Sequence, residues 1–164
     1  MVGDRIVVRA YERTATAAAA RHHSTRGVPM STVAAMVDSH PANRTAASSA
    51  QVIACIEACW RCAESCTVCA DACLSEEGLA ELRECIRTDL DCADICQTTA
   101  AVLSRRGGGD PATIRSLLDT CALICERCGQ ECDRHADRHE HCRICAETCL
   151  RCARSCRELL AALS

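Results

Sequence analysis

The chain has 164 residues and a formal net charge of −3, with 19 Lys and Arg residues interspersed among 22 Asp and Glu residues. It has no Phe, one Trp and one Tyr, so it lacks the basic stripe and the stacking aromatics that nucleic-acid partners require. No apolar run is long enough to span a bilayer, so no membrane association is expected. The abundance of Ala, Leu, Glu and Arg predicts an all-α protein with one domain.

Residues 1–29 are rich in Ala, Thr and Arg and have no sustained hydrophobic period. We expect a disordered or loosely docked extension there. Met30 is an alternative start codon, and translation from it would make the first 29 residues a start-site artefact. The folded domain is therefore predicted over residues 30–164.

A short helix is predicted directly after Met30. Ser31 or Thr32 supplies its N-cap, and Pro41 stops it. Its apolar side comprises Val33, Met36 and Val37.

Four long helices are predicted to follow, over residues 45–74, 79–104, 111–135 and 138–163. Residues 75–78 form the first turn, and the glycines at 107–109 break the chain again before Asp110 caps a helix that opens with Pro111. The connection near residue 136 contains no helix breaker and is the least defined. Helices of about 25 residues, roughly 37 Å long, with short connections predict an antiparallel up-down-up-down four-helix bundle, preceded by the short extra helix.

Cysteine spacing is the strongest signal in the chain. The eighteen cysteines recur mostly every three or four residues, which places them on one stripe of each long helix, where a bundle normally carries Leu or Ile. This predicts a core lined with cysteine. The cysteines are Cys55, Cys59, Cys62, Cys66, Cys69, Cys73, Cys85, Cys92, Cys96, Cys121, Cys125, Cys128, Cys132, Cys142, Cys145, Cys149, Cys152 and Cys156.

Disulfide bonding explains this pattern poorly. Residues three or four apart on a helix have Cβ atoms about 5–6 Å apart, whereas a disulfide needs about 3.5–4.5 Å. Disulfides between helices remain geometrically possible, but so many thiols facing one core would exchange partners readily. Residues 1–29 also lack the apolar segment and the twin-Arg motif of an export signal, so we expect reduced thiols in the cytoplasm.

The two ends of the bundle are predicted to differ. One end continues the stripes with aliphatic residues and Thr, and the other end brings His135 and His139 into register with the cysteines. Asp89 takes a stripe position that thiols hold elsewhere. We expect these three side chains to act as metal ligands, against the alternatives of exposed turn histidines and an Asp89–Arg ion pair. The aliphatic end comprises Val52, Thr99, Leu103, Ile114, Leu117 or Leu118, Leu159, Leu160 and Leu163.

Two further polar residues are expected to stay outside the metal site. Asp71 lies near the polar end but off the main stripe. His141 is out of register by our extrapolation and is predicted to be solvated.

The choice of metal depends on charge. Thiolates favour Cu(I), Zn(II) or iron–sulfur clusters. The chain lacks the Cys-x2-Cys-x2-Cys loops that hold iron–sulfur clusters in ferredoxins. It also lacks the two close ligand pairs, brought together by a turn, that form structural zinc sites. Buried thiolates must be neutralised almost one for one, and a monovalent ion shared between two thiolates achieves this. That charge balance predicts Cu(I), on the order of 15–20 ions per chain, and such a capacity is typical of storage.

The chain resembles the bacterial copper storage proteins, specifically their cytosolic branch. The resemblance rests on Met-Ser-Thr-Val-Ala-Ala-Met at residues 30–36, on the repeated Cys-x3-Cys pairs, and on His-Ala-Asp-Arg-His-Glu-His-Cys at residues 135–142. It implies a four-helix bundle, a homotetramer, Cu(I) on the core cysteines, and His and Asp at the open end that assist loading. A copper chaperone or a recipient copper enzyme would then be a partner. Exported relatives are rich in Met at the open end of the bundle, where this chain has His.

Two other functions are considered. The first is a thiol bundle that buffers Zn or Cd. The second is a thiol redox enzyme that uses a Cys-x2-Cys pair such as Cys59/Cys62 or Cys125/Cys128, but active pairs normally lie exposed at a helix N-terminus. The core also lacks the Glu-x2-His motifs of di-iron bundle enzymes. We therefore expect a storage protein without enzymatic activity.

Overall fold

A computed structural model describes residues 31–41, 46–105 and 109–163, with side chains from residue 49 onward in the second range. The expectation for residues 1–29 lies outside the described residues. Every regular element in these ranges is a helix, which confirms the predicted fold class. The helices are α1 (Thr32–Asp38), α2 (Ala46–Leu74), α3 (Leu79–Ser104), α4 (Pro111–Asp133) and α5 (Glu140–Ala162).

The four long helices form a ring in which α2 contacts α3 and α5, and α4 contacts the same two helices. Their directions follow from which sulfur atoms meet. At one end of the bundle Cys55 approaches Cys156 (3.7 Å), and at the other end Cys73 approaches Cys142 (3.9 Å), so α2 and α5 are antiparallel. The same reversal relates α3 to α4, in the pairs Cys96–Cys121 (3.7 Å) and Cys85–Cys132 (3.6 Å). The predicted up-down-up-down topology is confirmed.

Helix starts follow ordinary capping chemistry. The Ser31 side chain accepts a hydrogen bond from the Ala34 amide (3.1 Å), so Ser31 rather than Thr32 caps α1. Asp110 accepts from the Thr113 amide (2.8 Å) and Pro111 occupies the first turn of α4, as predicted. α3 instead begins after Gly78, whose φ of 81° is a left-handed conformation that favours glycine.

The connection between α4 and α5 is longer than predicted. α4 ends at Asp133 rather than at residue 135, and α5 begins at Glu140 rather than at residue 138. The amide of His139 donates to the His135 carbonyl (2.9 Å), and the amide of Arg138 donates to the same carbonyl (3.1 Å). These turn hydrogen bonds replace helical ones over residues 134–139. The sequence did not predict the full length of this turn because it has no Gly or Pro there.

The aliphatic end of the bundle is a conventional core. Ile56 and Leu118 are fully buried there and Leu159 is 2% exposed, so burial of their apolar surface stabilises the fold without metal. α1 packs beside this core through Val37 and Val33. Leu163 was predicted to belong to this core, but it follows the last residue of α5 and is 40% exposed. Met36 was predicted on the apolar side of α1, but it is 67% exposed.

None of the helices in the described ranges has both the length and the apolarity needed to cross a bilayer.

Candidate metal centre

The cysteines form the interior of the bundle. All eighteen are free thiols, and none exposes more than 1% of its surface. Their helical spacing places each sulfur on the inner face of α2, α3, α4 or α5, as the sequence predicted. The Cys59/Cys62 and Cys125/Cys128 pairs lie buried in mid-helix, unlike the exposed pair of a thiol redox enzyme.

Sulfur atoms from different helices lie close enough to share an ion. Cys66 and Cys149 are 3.4 Å apart, and Cys96 and Cys125 are also 3.4 Å apart. These separations are far longer than the roughly 2.05 Å of a disulfide. Groups of four ligand atoms lie within 4.8 Å of one another, and several cysteines belong to two groups. Four of the groups are Cys59/Cys121/Cys152/Cys156, Cys62/Cys96/Cys125/Cys152, Cys62/Cys66/Cys92/Cys149 and Cys66/Cys128/Cys145/Cys149.

Burial opposes the ionisation of these thiols. Desolvation, followed by repulsion from the Cys85 thiolate, raises the pKa of Cys73 to about 12. Deeper in the column, the hydrogen bond with Cys121 is the largest cause that raises the pKa of Cys96. Hydrogen bonds from neighbouring thiols act the other way at some positions, and the one with Cys156 is the largest cause that lowers the pKa of Cys55 to about 5. Ionising all of the buried thiols together requires positive charge inside the bundle.

Asp89 lies within the sulfur column, as predicted from its stripe position. It is fully buried, and its Oδ1 accepts from the thiols of Cys128 (3.0 Å), Cys132 (3.3 Å) and Cys145 (3.4 Å). Among the described residues no Arg lies within ion-pair distance, so the alternative of an Asp89–Arg pair is wrong. Desolvation, followed by repulsion from the Cys145 thiolate, raises the pKa of Asp89 to about 8.

His135 and His139 lie in the turn at the open end, but neither makes a hydrogen bond to sulfur among the described residues. His135 is 8% exposed, and neither of its ring nitrogens has a hydrogen-bond partner in the part of the chain that the structure describes. Its Nε2 is 3.5 Å from Glu131 Oε1. A buried imidazole without a hydrogen bond retains a lone pair that an ion can use. His139 places its Nδ1 3.1 Å from Glu76 Oε1.

The prediction that His141 is solvated is wrong. Its side chain is 20% exposed, and its Nδ1 lies 3.4 Å from Cys142, 3.5 Å from Cys69 and 4.0 Å from Cys73. These four residues form a further group of possible ligands. His139 lies three residues before Cys142, but His141 lies four residues before Cys145 and so shares the helical face of Cys145.

Two acidic residues, Asp71 and Glu76, lie near the open end. Asp71 is exposed on α2, as expected for a residue off the stripe. Sequence reasoning missed Glu76, whose Oε1 lies 3.2 Å from His141 Nε2. That hydrogen bond, followed by the one with His139, lowers the pKa of Glu76. The sequence did contain a signal for Glu76. Cys73 lies four residues after Cys69, and Glu76 lies three residues after Cys73, so Glu76 continues the spacing of the cysteine stripe.

The open-end group lies beside the molecular surface. A cavity of about 390 Å³ between α2 and α5 is lined in part by Val68 and Ile144 and extends to Cys69 and His141. An ion entering from this end would therefore meet nitrogen and sulfur ligands before the column of thiols.

Several known proteins are similar to this chain in sequence and fold. The copper storage protein family matches residues 48–161. The copper storage protein Ccsp from Streptomyces lividans, loaded with 10 copper equivalents, is 53% identical, with a TM-score of 0.77 over 79% of this chain and 98% of that one. A structure of copper loading to a cytosolic copper storage protein from the same organism, with five coppers, is 56% identical, with a TM-score of 0.70 over 71% and 98%.

A more distant relative has the same fold. The Cu(I)-bound copper storage protein BsCsp3 is 38% identical, with a TM-score of 0.60 over 66% of this chain and 97% of its own. The family match spans most of the bundle and all eighteen cysteines. The chain is thus a member of the copper storage protein family.

Proposed function

We propose that this chain stores Cu(I) in the cytoplasm, holding many ions on its core thiolates within a storage domain at residues 30–164. The observation that carries the proposal is the continuity of the sulfur column. Adjacent four-ligand groups share Cys152, Cys62, Cys66 and Cys149, so a metal-filled core would be one bridged assembly rather than a set of separate sites.

Monovalent copper suits this column better than zinc. Four thiolates around Zn²⁺ leave two net negative charges, and the described core contains no buried cation to balance them. One Cu(I) per thiolate, each thiolate bridging two ions, leaves the interior neutral. The proposed ligands are the eighteen cysteines with Asp89, His135 and His139 as predicted, and the geometry adds His141.

The ends of the column have different roles in this proposal. Aliphatic side chains close one end, so ions enter and leave at the end where His135, His139 and His141 lie. Nitrogen ligands there capture an ion and pass it to Cys69, Cys73 and Cys142.

Oligomerisation is part of the proposal as well. The outer faces of the bundle expose several large apolar side chains, including Trp60 (44%), Val68 (61%) and Leu123 (54%). Isolated exposed apolar residues are ordinary, but several on one small bundle are consistent with the homotetramer that the family resemblance implies. A copper chaperone or a recipient copper enzyme would then exchange ions with the open ends.

Anaerobic titration against a chromophoric Cu(I) chelator tests storage directly. The reduced protein should withdraw many equivalents of Cu(I) stoichiometrically and should keep them in the presence of Zn²⁺. Saturation at one or two equivalents, or displacement by zinc, would reject the proposal.

A matched pair of variants tests whether the shared sulfurs set the capacity. The double variant Cys66→Ser/Cys149→Ser should bind about two fewer ions, because each lost thiolate removes one compensating charge. Thr148→Ser is the control, since it keeps the hydroxyl that donates to the Ile144 carbonyl beside Cys149. Equal capacities for the two variants would show that the copper lies elsewhere.

A further inference from the structure

Glu76 joins the two histidines that flank the open end of the bundle. It lies in the turn between α2 and α3, with its side chain 37% exposed. The same oxygen, Oε1, is 3.1 Å from His139 Nδ1 and 3.2 Å from His141 Nε2. One carboxylate therefore contacts opposite nitrogens of two imidazoles whose ring centroids are 5.5 Å apart.

These contacts determine where each imidazole carries its proton. An ionised carboxylate only accepts hydrogen bonds, so the nitrogen facing Glu76 must be the N–H of each neutral ring. His141 is then protonated on Nε2, which leaves the Nδ1 lone pair facing Cys69, Cys73 and Cys142. His139 is protonated on Nδ1 instead, which leaves its lone pair on Nε2.

The backbone holds Glu76 in place for this role. Its amide donates to the Cys73 carbonyl (3.3 Å), and the preceding amide of Ser75 donates to the Ala72 carbonyl (2.9 Å). Gly78 then reverses the chain with a φ of 81°, a conformation that other residues adopt only with strain. The carboxylate is therefore tied to the helix that carries Cys69 and Cys73.

We propose that Glu76 is a positioning residue that fixes opposite tautomers in His139 and His141, so that the Nδ1 of His141 is presented to an incoming ion together with three sulfurs. Carboxylates that orient metal-binding histidines in this way fix the tautomer and raise the basicity of the ring. The identity of the ion as Cu(I) rests on the proposed function, whereas the tautomers do not.

The tautomers are measurable in the metal-free protein. Long-range ¹H–¹⁵N NMR of reduced apo protein, at a pH where the imidazoles are neutral, should show His141 protonated on Nε2 and His139 protonated on Nδ1. Because Nδ1–H is the less common form of free histidine, His139 should move towards Nε2–H in Glu76→Ala. Glu76→Gln keeps an acceptor oxygen and should retain the wild-type pattern in part. Finding His139 on Nε2–H in the wild type, or unchanged tautomers in Glu76→Ala, would overturn the assignment.

Loading kinetics test the consequence for the ion. With Cu(I) delivered from a chromophoric chelator, Glu76→Ala should take up the first equivalents roughly tenfold more slowly, within the range for residues that orient metal ligands, while total capacity is unchanged. Glu77→Gln, at the exposed neighbouring position, is the charge-matched control and should load normally. A wild-type rate in Glu76→Ala would overturn the positioning role. Failure of the wild type to bind copper would instead reject storage and leave the NMR test of Glu76 intact.

Discussion

Asp89→Asn should remove a pH dependence of stability that the buried carboxyl imposes on the metal-free protein. The pKa of Asp89 is raised from 3.8 to about 8, chiefly by desolvation. Between these values the unfolded chain has lost the proton and the folded chain retains it, so unfolding releases a proton and the free energy of unfolding falls as pH rises. The full slope is about 1.4 kcal/mol per pH unit, or about 3 kcal/mol from pH 5 to about pH 7.5.

The measurement is denaturant unfolding followed by circular dichroism, anaerobically, with reductant and a metal chelator. The quantity to compare is the difference in unfolding free energy between Asp89→Asn and wild type, because contributions from other titrating groups cancel in it. That difference should grow in favour of the variant as pH rises through this interval. Asp91→Asn makes the same substitution on the exposed face of the same helix and should follow the wild type. If the unfolding free energies of wild type and Asp89→Asn changed equally with pH, the reasoning would be refuted.

Three further outcomes are expected. The double variant His135→Ala/His139→Ala should load Cu(I) roughly tenfold more slowly from a chelator at unchanged capacity; a large loss of capacity would contradict an entry role. Leu118→Ala, at the aliphatic end, should lower the unfolding free energy of the apo protein by about 2–5 kcal/mol. Saturating Cu(I) should offset this loss because it binds the folded state. An unchanged melting temperature of the apo variant would contradict the assignment of Leu118 to the core. Loading at neutral pH should release about one proton per Cu(I), measured by pH-stat; far fewer would mean that the thiols are already ionised.

The sequence predicted the bundle well because its periodic signal is strong. Cysteine spacing of three and four fixes a helical period over each long segment, and short connections force consecutive helices to run antiparallel. Asp89 was found for the same reason, since it interrupts a thiol stripe on a regular helix. The prediction weakened where helical periodicity ended, and α4 and α5 differ from their predicted ranges by two residues at the turn between them.

The contacts of His141 and Glu76 at the open end could not be predicted from helical periodicity. His141 lies one residue from Cys142, and its contact with Cys69 on α2 depends on how α5 begins and on which helix packs beside it. Glu76 reaches two histidines more than sixty residues away in sequence. Spacing along one helix carries no information on which atom of a turn side chain faces another helix.

The sequence by itself determined that the central part of the interior is lined with sulfur, because cysteines recur on the inward stripe of all four long helices. Only the tertiary structure decided that Asp89 has no Arg partner among the described residues, that His141 faces three sulfurs, and that Glu76 contacts both His139 and His141. The physical reason is that hydrophobic periodicity fixes the face that a side chain occupies, whereas its protonation, tautomer and contacts depend on groups that only packing brings within hydrogen-bond distance.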